Sequence, residues 1–259
     1  VRHQTFIHSF AAISAAGICE PSGFRAWDAG QAGPSDVRRD QVLAKPYVNF
    51  GKLTLPDKLA FAAASLVFSH CPPGDPAATA ITLGIPAGSL STDLRYMESV
   101  LGGFPSPAVF SATLPSSAIA DVAIFYGIKG PNRVIAGDEA SGLTALELAC
   151  MLLAAKKAPA VLWMCVNAVE QRDAGVPLLG DSAPATCGAF GLLLSEKEPA
   201  DGFRARLTAD FSGPGDGAKP SRDEVYFTDL FGLLREGKNG AVRAASRGID
   251  ATLSLVKEE

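Results

Sequence analysis

No sign of charge is in marked excess. The chain has 259 residues, with 23 Lys and Arg against 27 Asp and Glu, for a formal net charge of -4. A broad basic surface for nucleic acid is therefore not expected. Histidine is scarce: His3, His8 and His70 are too few and too scattered for a zinc site, so no metal is expected. No stretch reaches 18 uninterrupted apolar residues, which argues against a membrane span. Five cysteines are present, Cys19, Cys71, Cys150, Cys165 and Cys187, without a Cys-x-x-Cys pair. Their odd number and the apolar settings of Cys150 and Cys165 predict buried free thiols in a reducing cytoplasm. Nucleotide motifs are missing as well. There is no Gly-x-Gly-x-x-Gly after the first strand, and Gly213-Pro214-Gly215-Asp216-Gly217 follows no predicted strand and lacks a spaced Lys-Ser or Lys-Thr. No cofactor is expected. The Gly-x-Ser-x-Gly elbow of a hydrolase is absent too.

What is present is apolar: 47% of the residues are hydrophobic, enough for one large core or two intimately packed lobes. The start, VRHQTFIHSFAAISAAG, has the small residues of a signal peptide, but His8 and Ser9 interrupt it. A buried strand over 4–13 is the better expectation. Residues 14–57 read as a long irregular excursion with Trp27 and Tyr47 as anchors. Helices are expected from Pro56 to about His70, from Ser89 to about Leu101, from Ser116 to Gly127 or Gly130, over 142–153 and over 224–236. Strands are expected over 78–84, 133–136, 160–166, 188–195, 240–245 and 249–256, and a flexible loop over 211–220. Strands and helices that alternate, with nearly continuous apolar strands, predict an α/β fold whose sheet is covered on both faces.

One stretch carries chemical meaning. Gly130–Leu146, GPNRVIAGDEASGLTAL, reads as strand, tight turn and helix start. Such a turn presents a side chain at a helix N-terminus, where unpaired N–H groups and the helix field favour negative charge. Gly137 allows the bend and Gly142 close packing. A cysteine in that place would have a depressed pKa and attack thioesters. The chain instead has Asp138 and Glu139. A carboxylate is a poor nucleophile toward a thioester, so Glu139 is open to a helix-capping role, a role in decarboxylation or a role in shaping a pocket. Cys150 lies eleven residues on, about three turns deeper at 1.5 Å per residue, and cannot share the elbow.

The sequence Gly137-Asp138-Glu139-Ala140-Ser141-Gly142 resembles the nucleophile elbow of the β-ketoacyl synthases, which reads roughly Thr-Ala-Cys-Ala-Ser-Gly. Upstream, Ser106-Pro107-Ala108-Val109-Phe110 and SATLPSSAIADVAIFYGIKG are similar to the segment that precedes it. Trp163–Glu170 and Gly188-Ala189-Phe190-Gly191 match later strands of the same half. The resemblance spans roughly 4–195 and implies a thiolase-like layered fold: a single ketosynthase N-terminal-type domain over 1–199, with a C-terminal helix and strand extension over 200–259 packed on it. A complete ketosynthase has a second half with two catalytic histidines, and this chain has no histidine after His70. The resemblance therefore implies a noncatalytic relative, similar to the short chain length factor subunits of aryl polyene and flexirubin-type pigment clusters. Those pair as heterodimers with a full-length β-ketoacyl synthase, which receives malonyl units from acyl carrier protein. By that likeness Phe110, Leu114, Pro115, Ala118 and Phe125 are interface or tunnel candidates, with ordinary core as the alternative. Arg133 would lie where strands pair across the interface, and Asp138 and Glu139 beside the shared tunnel. Three other expectations stay open: a self-associating noncatalytic scaffold, a malonyl-ACP decarboxylase or priming factor using Glu139, and an enzyme with unrelated chemistry in a repurposed pocket.

Overall fold

A computed structural model describes residues 1–31, 33–137, 140–169, 187–200, 202–212, 223–246 and 249–257. The first strand, β1 (Arg2–Ser14), is the longest and turns back into β2 (Gly17–Glu20) and β3 (Gly23–Ala26). The short helix α1 (Arg39–Val42) agrees with the short helices expected within the irregular excursion over 14–57, whereas the β2–β3 hairpin was not expected there. Trp27 and Tyr47 are the anchors of the excursion. The Trp27 indole donates to the Ser14 carbonyl at 2.9 Å, and Tyr47 stacks on Phe61 with ring centroids 4.7 Å apart.

Then follow α2 (Leu55–His70), β4 (Ala80–Ile85), α3 (Leu90–Leu101), α4 (Pro107–Phe110), α5 (Ser117–Tyr126), β5 (Asn132–Ala136), α6 (Ser141–Ala154), β6 (Ala160–Asn167) and β7 (Gly188–Ser195). The last elements are β8 (Ala205–Ser212), α7 (Asp223–Glu236), β9 (Gly240–Ser246) and β10 (Ile249–Lys257). Eight of the strands run in the order β5-β4-β6-β7-β1-β8-β10-β9, with β2 paired to β1 and β3 to β2. Only β4 with β5 and β4 with β6 are parallel; the other pairs are antiparallel.

Side chains that alternate along the strands build a core on each face. On β6, Val161, Trp163 and Cys165 join one cluster with α6 and α7, while Leu162, Met164 and Val166 join the other with α2 and α5. Helix α2 is buried on nearly every side and rich in alanine, which lets it lie close to the sheet: a methyl on Gly191 would stand 3.1 Å from Val67. The expectation of a sheet covered on both faces holds for β4, β6 and β7. It fails for β8 and β10, where Ala205, Leu207 and Ala209 are buried but Asp210, Thr252 and Val256 are exposed. That alternation is what an antiparallel sheet with one solvated face requires. Strand β8 was not expected from the sequence, and it lies directly before Gly213, so the glycine-rich segment does follow a strand. The missing Lys-Ser or Lys-Thr still separates it from a P-loop. Of the expected loop over 211–220, Phe211 and Ser212 end β8, and the remainder lies outside the described residues.

The tightest approach is between β4 and α6. A Cβ on Gly84 would stand 2.4 Å from the Gly142 Cα and 2.6 Å from its amide nitrogen, so backbone packs on backbone. Gly84→Ala is expected to lower the unfolding free energy by about 3 kcal/mol, because neither strand nor helix has a flexible side chain to move aside. Urea denaturation read by circular dichroism tests this; an unchanged midpoint would mean that strand and helix separate freely.

Candidate functional site

The elbow forms where β5, held parallel to β4, ends at Gly137 with φ of 116° and α6 begins at Ser141. That φ lies where glycine alone is comfortable. Asp138 and Glu139, expected at the turn, lie outside the described residues. Ser141 and Gly142 are fully buried, and the Trp163 indole donates to the Gly142 carbonyl at 3.1 Å. The first turn of α6 is therefore pinned from two sides, by Gly84 and by Trp163.

Below that turn the space is filled by rings. Trp163 meets Phe227 of α7 at 4.6 Å, Phe190 meets Phe231 at 5.0 Å, and Phe10 meets Phe203 at 5.0 Å. Each buried ring contributes roughly 1.5–3 kcal/mol of apolar burial. This plug contains no ionisable group. Cys150, farther along α6, has its thiol pushed up to about 12 by burial, with Glu147 adding to the rise and a backbone hydrogen bond opposing it. It holds no thiolate near neutral pH. Histidine is placed elsewhere: His8 sits at a β-bulge of β1 and its Nε2 is 2.7 Å from Ser195 Oγ, while His70 ends α2 with its Nε2 3.1 Å from Glu20. Among the described residues no group of three or more His, Cys, Asp or Glu could hold a metal ion, and no helix is long and apolar enough to cross a membrane.

The other feature is an apolar outer surface. Phe110 is 58% exposed and Leu114 65% exposed; Pro115 is half-buried. Ala118 is buried in the core. Phe125 is half-buried against Phe61 at 5.2 Å and Tyr47 at 5.4 Å. Arg133 is exposed on β5, whose only strand partner among the described residues is β4. Met97, Leu101, Phe104 and Ile124 are also exposed and were not singled out from the sequence. A signal for Ile124 was there to be read. Helix α5 has the sequence SAIADVAIFY, apolar on every side with Asp121 as its one charge, and a helix of that kind is covered on every side in its working state. Its outward residues Ala120 and Ile124 are exposed in the chain alone.

Residues 64–181 match the family model for the β-ketoacyl synthase N-terminal domain. The fold is that of the thiolase-like ketosynthases. A chain of the ishigamide ketosynthase/chain length factor aligns with a TM-score of 0.74 at 17% identity, covering 99% of this chain and 100% of that one. A chain of the ketosynthase ApeO in complex with its chain length factor ApeC, from Xenorhabdus doucetiae, aligns at 0.69 with 15% identity, covering 97% and 99%. A β-ketoacyl synthase from Burkholderia phymatum aligns at 0.60 with 15% identity, covering 92% of this chain and 71% of that one. No curated protein matches the sequence.

Cys150 is expected to resist iodoacetamide at pH 8 in the folded chain and to react only after denaturation, because its thiol is buried and protonated. Peptide mass spectrometry reads the result; native labelling of Cys150 would reveal a thiolate that the packing does not allow.

Proposed function

We propose that this chain is a noncatalytic chain length factor-like subunit that pairs with a full-length β-ketoacyl synthase. The apolar outer surface from Met97 to Ile124 carries this assignment. Large exposed apolar patches are uncommon on monomeric proteins and mark interfaces. Here the exposed side chains come from α3, α4, α5 and the loops between them, with β5 at the end of the strand order. Solved structures of like fold include a ketosynthase in complex with its chain length factor, and the same type of assembly suits this surface.

In that assembly the partner holds the growing chain as a thioester and condenses malonyl units delivered on acyl carrier protein. This subunit stabilises the partner and closes one wall of its acyl tunnel. Phe110, Leu114, Pro115, Ala118 and Phe125 are the tunnel or interface candidates, Arg133 marks the strand that pairs across the interface, and Asp138 and Glu139 lie beside the tunnel. Product length is then limited where further methylenes would overpack the tunnel end. The products are polyenes of the aryl polyene or flexirubin type, made in the cytoplasm, where the five free cysteines of this chain stay reduced.

Co-expression with a full-length β-ketoacyl synthase, followed by size exclusion with light scattering, tests the assignment. A one-to-one heterodimer is expected, and Ile124→Arg should weaken it about tenfold or more without lowering the thermal midpoint of the free chain. A stable homodimer that ignores the ketosynthase would overturn the assignment in favour of a self-associating scaffold.

A further inference from the structure

Helix α5 presents Ile124 outward, and the contacts behind it run in one direction. Asp57, Phe61, Ser65 and Phe68 form one face of α2. Asp57 meets Ser117 at the start of α5, Phe61 meets Phe125, and Ser65 and Phe68 meet Tyr126 at its end. The two helices therefore run parallel, with their N-termini together. Two positive helix ends side by side repel one another, and a carboxylate between them offsets this. Asp57 occupies that place. Its Oδ2 accepts from Thr54 Oγ1, the N-cap of α2, at 2.6 Å, and its Oδ1 accepts from Ser117 Oγ, the first residue of α5, at 2.9 Å. The carboxylate is 5% exposed.

We infer that Asp57 is the positioning residue for the partner-facing helix, bridging the starts of α2 and α5 and fixing the register in which α5 presents Ile124, an inference that rests on the partner-binding role proposed above. Alanine and aromatic contacts alone tolerate sliding, whereas a satisfied buried polar bridge admits one register. A second tie acts in the same sense: Tyr47 donates to Asp121 Oδ1, one turn along α5 from Ser117. At the far end of the helix Tyr126 donates to Ser65 Oγ at 2.9 Å. Burial raises the Asp57 pKa above the ordinary carboxylate range, against the lowering effect of the Thr54 and Ser117 hydrogen bonds, and Asp121 adds a smaller rise. An asparagine keeps one acceptor, and its amide nitrogen can donate to the other hydroxyl oxygen, so both arms of the bridge remain.

Hydrogen exchange of the free full-length chain, read by mass spectrometry, tests this without any partner. Asp57→Ala should speed exchange across 117–126 about tenfold while leaving 160–166 unchanged, and Asp57→Asn should match the wild type. Binding to the ketosynthase should then weaken in Asp57→Ala and recover in Asp57→Asn. Unchanged exchange in α5, equal loosening of the whole sheet, or failure of asparagine to rescue would each overturn the inference. If Asp57→Ala does not fold, Ser117→Ala removes one arm of the bridge, and its α5 exchange must rise. Absence of ketosynthase binding in the wild type would sink the proposed function and leave the exchange result standing.

Discussion

The contact between Gly84 and Gly142 governs the arrangement of this molecule. Neither residue has a side chain, so the start of α6 rests directly on β4. That approach places the turn after β5 at the edge of the sheet and brings the Gly142 carbonyl within reach of the Trp163 indole. Everything around the elbow depends on it. A larger residue at Gly84 would lift the helix, part the indole from the carbonyl and open the aromatic packing beneath.

The aromatic packing gives the elbow its present character. Trp163, Phe227, Phe190 and Phe231 lie against one another on the α7 side of the sheet. Helix α7 belongs to the C-terminal segment, and so do β8, β9 and β10, which lengthen the same sheet. The segment thus closes part of the face under α6. Apolar surface left open is concentrated elsewhere, on α3, α4 and α5. A chain with a filled interior and an open apolar flank is suited to working through what binds that flank.

Polar groups inside the α2–α5 contact serve a different purpose from the rings. The rings supply burial without strong preference for one alignment. Asp57, Ser117, Ser65 and Tyr126 supply little net stability, because each hydrogen bond replaces one made to water. They supply alignment, since a shift of one turn would part Ser117 from Asp57 and Tyr126 from Ser65.

Much of the fold was legible in the order of the residues. The apolar repeats of α2 and α6, the buried strands β6 and β7, and the glycines of the elbow all follow from local pattern. Strand β8 and the β2–β3 hairpin were not legible, because their half-polar alternation becomes a strand only when β1 and its neighbours supply the hydrogen bonds. Phe110 and Ala118 show the same division. Both are apolar residues of one segment, yet one is exposed and the other is core, and no spacing rule separates them, since α4 leaves Phe110 outside while α5 packs Ala118 into the core beside α2. The sequence by itself determined most of the elements and the core composition, both properties of residue type and local spacing. The tertiary structure alone decided which apolar residues face outward and which carboxylate holds the outward helix in register, because those depend on contacts between residues far apart in the chain.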